Sequence, residues 1–262
     1  MYSIERLKYL KQKKRNNFII KLFQILILIF TIIIWQLLAD LKIINIFISS
    51  SPLLITKTII SLIKDNLFEH IFITIYETII SFSLGTLLGF LIATILWWNT
   101  TLKIIIDPYL TILNSLPKVA FGPIIIIWFG AGINSIIIMS LLISVIITII
   151  NVSTSFSETD KNKITLMKSF NATKYQIFTK LIFPSSLNSI ISSLKINISM
   201  SLIGVIMGEF LCCKKGIGYL IMYGSQVFNL NLVVSGIILL CIISAILYYL
   251  VLLLEKKLIK NK

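Results

Sequence analysis

Three ionisable side chains, Glu77, Lys118 and Glu209, lie within stretches of the chain that are otherwise strongly apolar. Burying a charge in such surroundings is costly, so these groups usually mark a polar pathway or a buried pair. Pro117 precedes Lys118; because proline has no amide hydrogen, it breaks a helix there and frees a carbonyl. We predict that Glu77, Pro117, Lys118 and Glu209 belong to a pathway or gate. Snorkelling of Lys118 and a structural ion pair of the glutamates are the alternatives.

The sequence contains few residues that could support catalysis, nucleotide binding or metal binding. It contains no G-x-x-x-x-G-K-[S/T] loop for nucleotide phosphates, no H-E-x-x-H zinc motif and no G-x-S-x-G nucleophile motif. His70 is the only histidine, and the three cysteines, Cys212, Cys213 and Cys241, have neither disulfide-framework nor metal-ligand spacing. We therefore expect no catalytic residue, no metal site and no cofactor bound by this chain.

Composition predicts a membrane protein. Of 262 residues, 57% are hydrophobic and only 13% charged, and the mean hydropathy is +0.99. A soluble domain carries about a quarter charged residues, so this chain has too little polar surface to coat a globule in water. The net charge of +14 does not indicate nucleic-acid binding, because the basic residues sit at the ends of apolar runs rather than along one surface.

Six apolar segments are long enough to cross a bilayer, which needs about 20 helical residues each. The predicted fold is all-α, with spans at 19–39, 70–98, from Pro108 or Tyr109 to Gly130, 135–153, from Pro184 to Glu209, and 231–254. In the second span, small residues recur every fourth position: Ser81, Gly85, Gly89 and Ala93. This stripe predicts close packing of helices within the chain, and a dimer seam is the less favoured alternative.

The distribution of basic residues predicts the topology. With the N-terminus inside, 18 of the 24 Lys and Arg residues fall in cytoplasmic segments and 5 in outer ones, with Lys118 unassigned. We therefore expect a multi-pass protein of the bacterial plasma membrane with both termini in the cytoplasm. Residues 1–18 would be a basic cytoplasmic segment, 19–67 the first span and an external loop, and 259–262 a cytoplasmic tail.

Segment 157–183 is the only long charged loop between spans, and its pattern predicts a helix–turn–helix. Ile164, Met167 and Phe170 recur at helical spacing, and Asn171 tolerates the left-handed backbone that ends a helix. Thr173 and Gln176 form a T-x-x-Q capping box that opens a second helix, which Pro184 is expected to end before the fifth span. From the residues alone, a docking element for a soluble partner and a plain amphipathic loop on the lipid are equally favoured.

The loop also resembles a known family. Binding-protein-dependent importers carry an E-A-A-x-x-x-G-x9-I-x-L-P signature in the cytoplasmic loop that engages the ATPase. Here Asn171 takes the glycine position and Ser169–Thr173 resembles S-L-G-A-S, whereas Thr165, Leu166 and Met167 replace E-A-A. The segments around Pro117, Gly208–Phe210 and Lys215–Leu220 are similar to the nitrate/sulfonate/taurine branch, and the resemblance covers 68–258. Arginine is common in relatives where this chain has Glu77.

The resemblance implies the permease subunit of an ATP-driven importer, not an enzyme. Its partners would be a separate ABC-type ATPase that binds the ATP, an extracytoplasmic substrate-binding protein, a second permease copy in a homodimer, and the lipid bilayer. The implied cargo is a small solute of the nitrate/sulfonate/taurine type or a heterocycle such as a thiamine pyrimidine precursor. The implied ATPase-coupling residues are Thr165, Leu166, Met167, Lys168, Ser169, Phe170, Asn171, Ala172, Thr173 and Pro184.

Two other classes are weaker. An ion-coupled secondary transporter would have internal repeats and discontinuous helices with paired buried acids, and we find no repeat between the two halves of the sequence. It would also leave the helix–turn–helix loop without a purpose. An intramembrane enzyme would need a constellation of reactive residues that this sequence does not contain.

Overall fold

Long apolar runs with few helix breakers fold here into helices. A computed structural model describes residues 4–260, apart from the side chains of 4–8, 10, 11, 17, 46 and 258–260. Within that range the structure has no strand. The helices are α1 (Ile4–Asp40), α2 (Ile46–Ser49), α3 (Pro52–Lys64), α4 (Leu67–Trp98), α5 (Thr100–Ser115), α6 (Gly122–Phe129), α7 (Ile133–Ser157), α8 (Lys161–Ser169), α9 (Lys174–Ile177), α10 (Phe183–Cys212), α11 (Ile217–Gln226) and α12 (Leu230–Lys260).

Within the described residues, five segments are long and apolar enough to cross a bilayer, and a bent pair of shorter helices makes a sixth when it is counted as one span. The five are Gln12–Asp40, Leu67–Trp98, Ile133–Ser157, Lys174–Cys212 and Leu230–Lys257. The all-α, six-span prediction is confirmed in this sense. The predicted terminal segments, 1–18 and 259–262, are described only in part, because residues 1–3 and 261–262 lie outside the described range. Between the first two spans, the expected external loop contains the 13-residue helix α3, whose N-cap is Ser51.

The third span differs from the prediction. Helix α5 begins at Thr100, where the Asn99 side chain accepts a hydrogen bond from the Leu102 amide, so the predicted start near Pro108 or Tyr109 is wrong. Pro108 lies inside α5, and the helix ends only at Ser115, just before Pro117. A 3₁₀ turn and α6 then continue at 89° to α5. The break predicted at Pro117 is confirmed, because its missing amide permits this sharp turn. The start was wrong because it was placed about one crossing's length back from Gly130, whereas the bent pair begins earlier, at Thr100.

The fifth span also starts earlier than predicted. Helix α9 continues through a π-type turn, Phe178–Ile182, directly into α10, so one apolar segment runs from Lys174 to Cys212. Pro184 therefore does not end the second loop helix; it lies in the first turn of α10. The amide of Phe183 reaches back to the carbonyl of Phe178, and such wider turns let a proline sit within a continuous helix.

The centre of the molecule is formed by α4, α7 and α10, which pack through small side chains. A Cβ atom added at Gly85 would lie 2.1 Å from the Ser144 Oγ, and one added at Gly204 would lie 2.5 Å from the Ser140 Cα. Helix α7 therefore approaches both neighbours more closely than larger residues would permit. The predicted packing of the small-residue stripe within the chain is confirmed. This trio fixes where the candidate site residues stand.

Candidate functional site: a braced loop and a buried glutamate pair

The loop after α7 bends sharply, and both sides of the bend are closed by hydrogen bonds. Asn171 has φ +54°, and its amide donates to the Lys168 carbonyl at 2.9 Å. The next amide, that of Ala172, donates to the Met167 carbonyl at 3.0 Å. This pair of bonds is the Schellman motif, in which a left-handed residue satisfies the last carbonyls of a helix. The predicted role of Asn171 as a helix C-terminus is confirmed.

The second side of the bend carries the predicted capping box. The Gln176 amide donates to the Thr173 Oγ1, and the Thr173 amide donates to the Gln176 Oε1 at 2.8 Å. Two amides that would otherwise lack partners at the start of α9 are thus satisfied by one pair of side chains. With both helix ends closed, the bend has little backbone freedom.

The side chains of the loop divide into an anchoring set and an outward-facing set. Ile164, Met167 and Ala172 pack against a buried cluster that includes Phe156 and Ile177. The predicted apolar face of α8 is therefore correct for Ile164 and Met167. It is wrong for Phe170, which follows α8 and turns away, so that 77% of its surface is exposed. The remaining predicted loop residues with exposed side chains are Thr165, Leu166, Lys168, Ser169, Asn171 and Thr173.

At the other end of the same helices, Glu209 is buried and held by hydrogen bonds. Thr74 of α4 donates its hydroxyl to Glu209 Oε1 at 2.6 Å, and the Gly218 amide donates to Oε2 at 2.5 Å. The Thr74 Oγ1 also accepts from the Ile217 amide at 2.9 Å. One carboxylate therefore joins α4, α10 and the beginning of α11, which is a buried polar network with its main acceptor satisfied.

Two glycines make room for that carboxylate. A Cβ atom at Gly216 would lie 2.3 Å from the Glu209 Cδ, and one at Gly218 would lie 2.7 Å from its Oε2. Gly216 also has φ +109°, a conformation that side chains disfavour. Sequence reasoning noted these glycines only as part of a family motif and did not include Thr74. A glycine pair, Gly-x-Gly, soon after a buried acid was the signal available.

Glu77 lies beside Glu209 but, unlike Glu209, has no hydrogen-bond partner for its carboxyl group in the described part of the chain. Its side chain is fully buried, and among the described residues no donor reaches either carboxyl oxygen. The carboxyl group that acts on Glu77 electrostatically is that of Glu209. The structure thus brings the two predicted acids together without a cation between them, so the alternative of an ion pair does not describe this site.

Lys118 stands apart from the acids. It lies in the 3₁₀ turn after the break at Pro117, half-buried, and its Nζ donates to the Asn114 carbonyl at 3.0 Å. The lysine therefore binds a carbonyl at the end of α5 that has lost its helical partner. Within residues 4–260 it forms no ion pair with Glu77 or Glu209, and no cluster of three His, Cys, Asp or Glu side chains there could hold a metal ion.

Comparison with known proteins identifies the class to which this fold belongs. Residues 85–260 match the family described as the binding-protein-dependent transport system inner membrane component. A chain of the MetNI methionine ABC transporter, solved in inward-facing conformations, has the same fold: its TM-score is 0.63 at 18% identity, over 74% of this chain and 95% of that one.

Individual relatives are also named as transport permeases. SsuC of Bacillus subtilis (strain 168), named as an aliphatic sulfonates transport permease, is 28% identical over 87% of this chain and 83% of its own length. ThiX of Halalkalibacterium halodurans, named as a formylaminopyrimidine transport permease protein, is 29% identical over 66% of this chain and 69% of its own. The chain belongs to the binding-protein-dependent transport permease family. It is a multi-pass permease subunit of an ABC importer, and the family is one of transport proteins rather than enzymes.

Proposed function

We propose that the bend from Ser169 to Thr173 is the contact through which a separate ATPase subunit drives this permease. The observation that supports the proposal is the exposure of Phe170 on a backbone closed on both sides by hydrogen bonds. When a partner buries a rigidly held, water-exposed apolar side chain, the free energy of the complex falls. Ile164 and Met167 pack against the buried cluster between the spans. We infer from this packing that a movement of the bend is transmitted to the membrane-spanning helices.

In this proposal the loop and both termini face the cytoplasm, as the basic residues favour. Two copies of the chain form the translocation path, and two ATPases that bind the ATP pull the two loops together. That closure switches the path from one side of the membrane to the other. An external binding protein delivers a small solute of the sulfonate, taurine or nitrate type, or a related heterocycle such as a thiamine pyrimidine precursor. Glu77, Pro117, Lys118 and Glu209 are the proposed path and gate residues.

Accessibility labelling tests the orientation. In a variant whose three cysteines are replaced, a single cysteine at Lys168 should react with a membrane-impermeant maleimide only after the cells are opened. A cysteine at Lys57, on α3, should react in intact cells. Reaction of the Lys168 position in intact cells would contradict the proposed orientation and the ATPase contact together.

Co-purification tests the partners. The solubilised chain should retain a P-loop ATPase, and the complex in vesicles should hydrolyse ATP faster when the liganded binding protein is added. Calorimetry of that binding protein with taurine, an aliphatic sulfonate, nitrate and formylaminopyrimidine would identify the solute. A chain that is reconstituted alone in vesicles and transports its solute without any ATPase would contradict the proposal.

A further inference from the structure

A cavity of about 590 Å³ opens beside the loop, at the level where several spans end. Its walls come from the last turns of α4 and α7, the first turn of α5, and α8 and α9. The spans Leu67–Trp98, Ile133–Ser157 and Lys174–Cys212 all have an end here. The cavity therefore lies at the depth of the lipid headgroups, where tryptophans such as Trp97 and Trp98 concentrate.

The floor of this cavity is apolar and its rim is basic. Leu96, Phe156 and Ile177 are buried beneath it, and the half-buried Trp97 forms one wall. Four lysines also line the cavity, which we call the interfacial lysine pocket; they are Lys103, Lys161, Lys168 and Lys174. Its volume falls within the range of small-molecule sites, about 300–1,000 Å³.

Two of the lysines are held in place by the protein. Lys103 donates to the Ser157 Oγ at 2.7 Å. Lys174 donates to the Trp98 carbonyl, and its Nζ lies 5.7 Å from the centre of the Trp97 ring. These contacts fix two positive charges above the apolar floor without neutralising them.

The pocket contains no negative charge of its own. No acidic residue lines it, and none of its four lysines forms an ion pair within the part of the chain that the structure describes. The nearby Asp160 accepts from the Asn162 amide as the N-cap of α8. Four like charges around one cavity repel each other, so an anion bound between them relieves that repulsion.

We propose that the interfacial lysine pocket binds an anionic phospholipid, with the headgroup phosphate among the lysines and the glycerol and upper acyl chain on the apolar floor. An acidic segment of the ATPase is the competing occupant. The structure favours the lipid because Leu166, Phe170 and Tyr175, the large apolar side chains that the loop exposes to a soluble partner, do not line the pocket. A bound headgroup links Lys161 and Lys168 of α8 to Lys103 of α5 and so braces the loop against the spans.

Fluorescence of Trp97 offers a direct test on the full chain in neutral detergent. In the background W35F/W98F/W128F, only Trp97 remains of the four tryptophans. Dioctanoyl phosphatidylglycerol should change its emission saturably, whereas dioctanoyl phosphatidylcholine should not. Glycerol 3-phosphate should bind much more weakly, because it supplies the phosphate without the acyl chains. An equal response to glycerol 3-phosphate would overturn the lipid assignment in favour of a soluble anion.

Charge-matched variants make the test specific. In K161Q/K168Q the apparent affinity for the anionic lipid should fall roughly thirtyfold, because each lysine near a membrane surface contributes about a fivefold increase in binding to anionic lipid. Neither side chain forms a hydrogen bond in the described structure, so this variant should fold, and size-exclusion chromatography checks that it does. K163Q/K180Q removes the same charge from the same loop but outside the pocket, and should bind like the parent. An equal loss in both variants would overturn the proposal.

A second measurement separates the lipid from the ATPase. If K161Q/K168Q keeps the parent's lipid response but no longer retains the ATPase, the pocket is an ATPase contact and the proposal fails. Should the double variant not fold, the single variants K161Q and K168Q carry the same comparison, each with a smaller expected loss. An unchanged lipid affinity in both single variants would then overturn the proposal.

Discussion

The buried glutamate pair and the loop bend are both held by hydrogen bonds, but they differ in where their key side chains lie. The glutamates are inside the protein, whereas Phe170 of the bend is exposed. At Glu209, hydrogen bonds from Thr74 and Gly218 are made inside the protein, and the group left without a donor is the buried carboxyl of Glu77. At the bend, the backbone is satisfied internally while the apolar ring of Phe170 is left outside. The first arrangement is a polar network that links helices, a joint between them, and the second is an exposed apolar surface that a partner protein can bury.

The largest expected effect on stability is at the glycine beside Glu209. Gly216→Ala should destabilise the solubilised chain by about 3 kcal/mol or more, because the methyl group adds overpacking against the carboxylate to the cost of a positive φ. Thermal unfolding followed by circular dichroism measures the change. Gly130→Ala is the matched control: Gly130 also has a positive φ, but a Cβ atom there meets nothing within 4 Å. Equal losses in the two variants would show that Glu209 does not fill the space.

The two glutamates should respond differently to the same substitution. Glu209→Gln should cost about 1–2 kcal/mol. To keep the Gly218 bond, the amide nitrogen must face Thr74, whose hydroxyl then stops donating to residue 209 and turns to the His70 carbonyl, 3.2 Å away. Glu77→Gln should be neutral or stabilising, since no donor is lost and the new amide can donate to Glu209. Unfolding of both variants in the same detergent checks the difference. A larger loss at Glu77 would indicate that its carboxyl group has a partner of its own.

The sequence was most informative where the structural signal is local. The capping box at Thr173 and Gln176 and the left-handed Asn171 each depend on residues within one helical turn, so their roles can be predicted from spacing alone. The apolar runs of the spans are similarly local. The same reasoning located the break at Pro117 but not its angle, and it failed at Pro184, where a π-type turn absorbs the proline into a continuous helix.

The glutamate pair shows what local reasoning cannot supply. Glu77 and Glu209 were each selected as costly residues in apolar segments, but their contact depends on how α4 and α10 are aligned around α7. That alignment is set by close approaches such as Gly85 to Ser144 and Gly204 to Ser140, which a single sequence does not specify. Lys118, selected by the same argument, lies elsewhere and donates to the Asn114 carbonyl at the end of α5.

A smaller stability effect is expected at the bend itself. Asn171→Val should destabilise the loop by about 1–2 kcal/mol, because a β-branched side chain is poorly accommodated at φ +54°. Asn171→Gly should be close to neutral, since glycine adopts this conformation freely. Hydrogen exchange of the Asn171 and Ala172 amides reports the local change without requiring the whole chain to unfold. Equal protection in the two variants would contradict the strain argument.

The smallest expected change in stability is at Phe170, where the functional loss should nevertheless be large. Phe170→Asp should shift unfolding by no more than about 0.5 kcal/mol, because an exposed ring is replaced and no internal contact is lost. Phe228→Asp is the matched control, since the two rings have nearly equal exposure, 77% and 75%. Retention of the ATPase by the solubilised chain should be lost for Phe170→Asp and preserved for Phe228→Asp. If both variants retain it equally, the bend is not the surface on which the ATPase depends, and the contrast between an internal joint and an outward contact no longer holds.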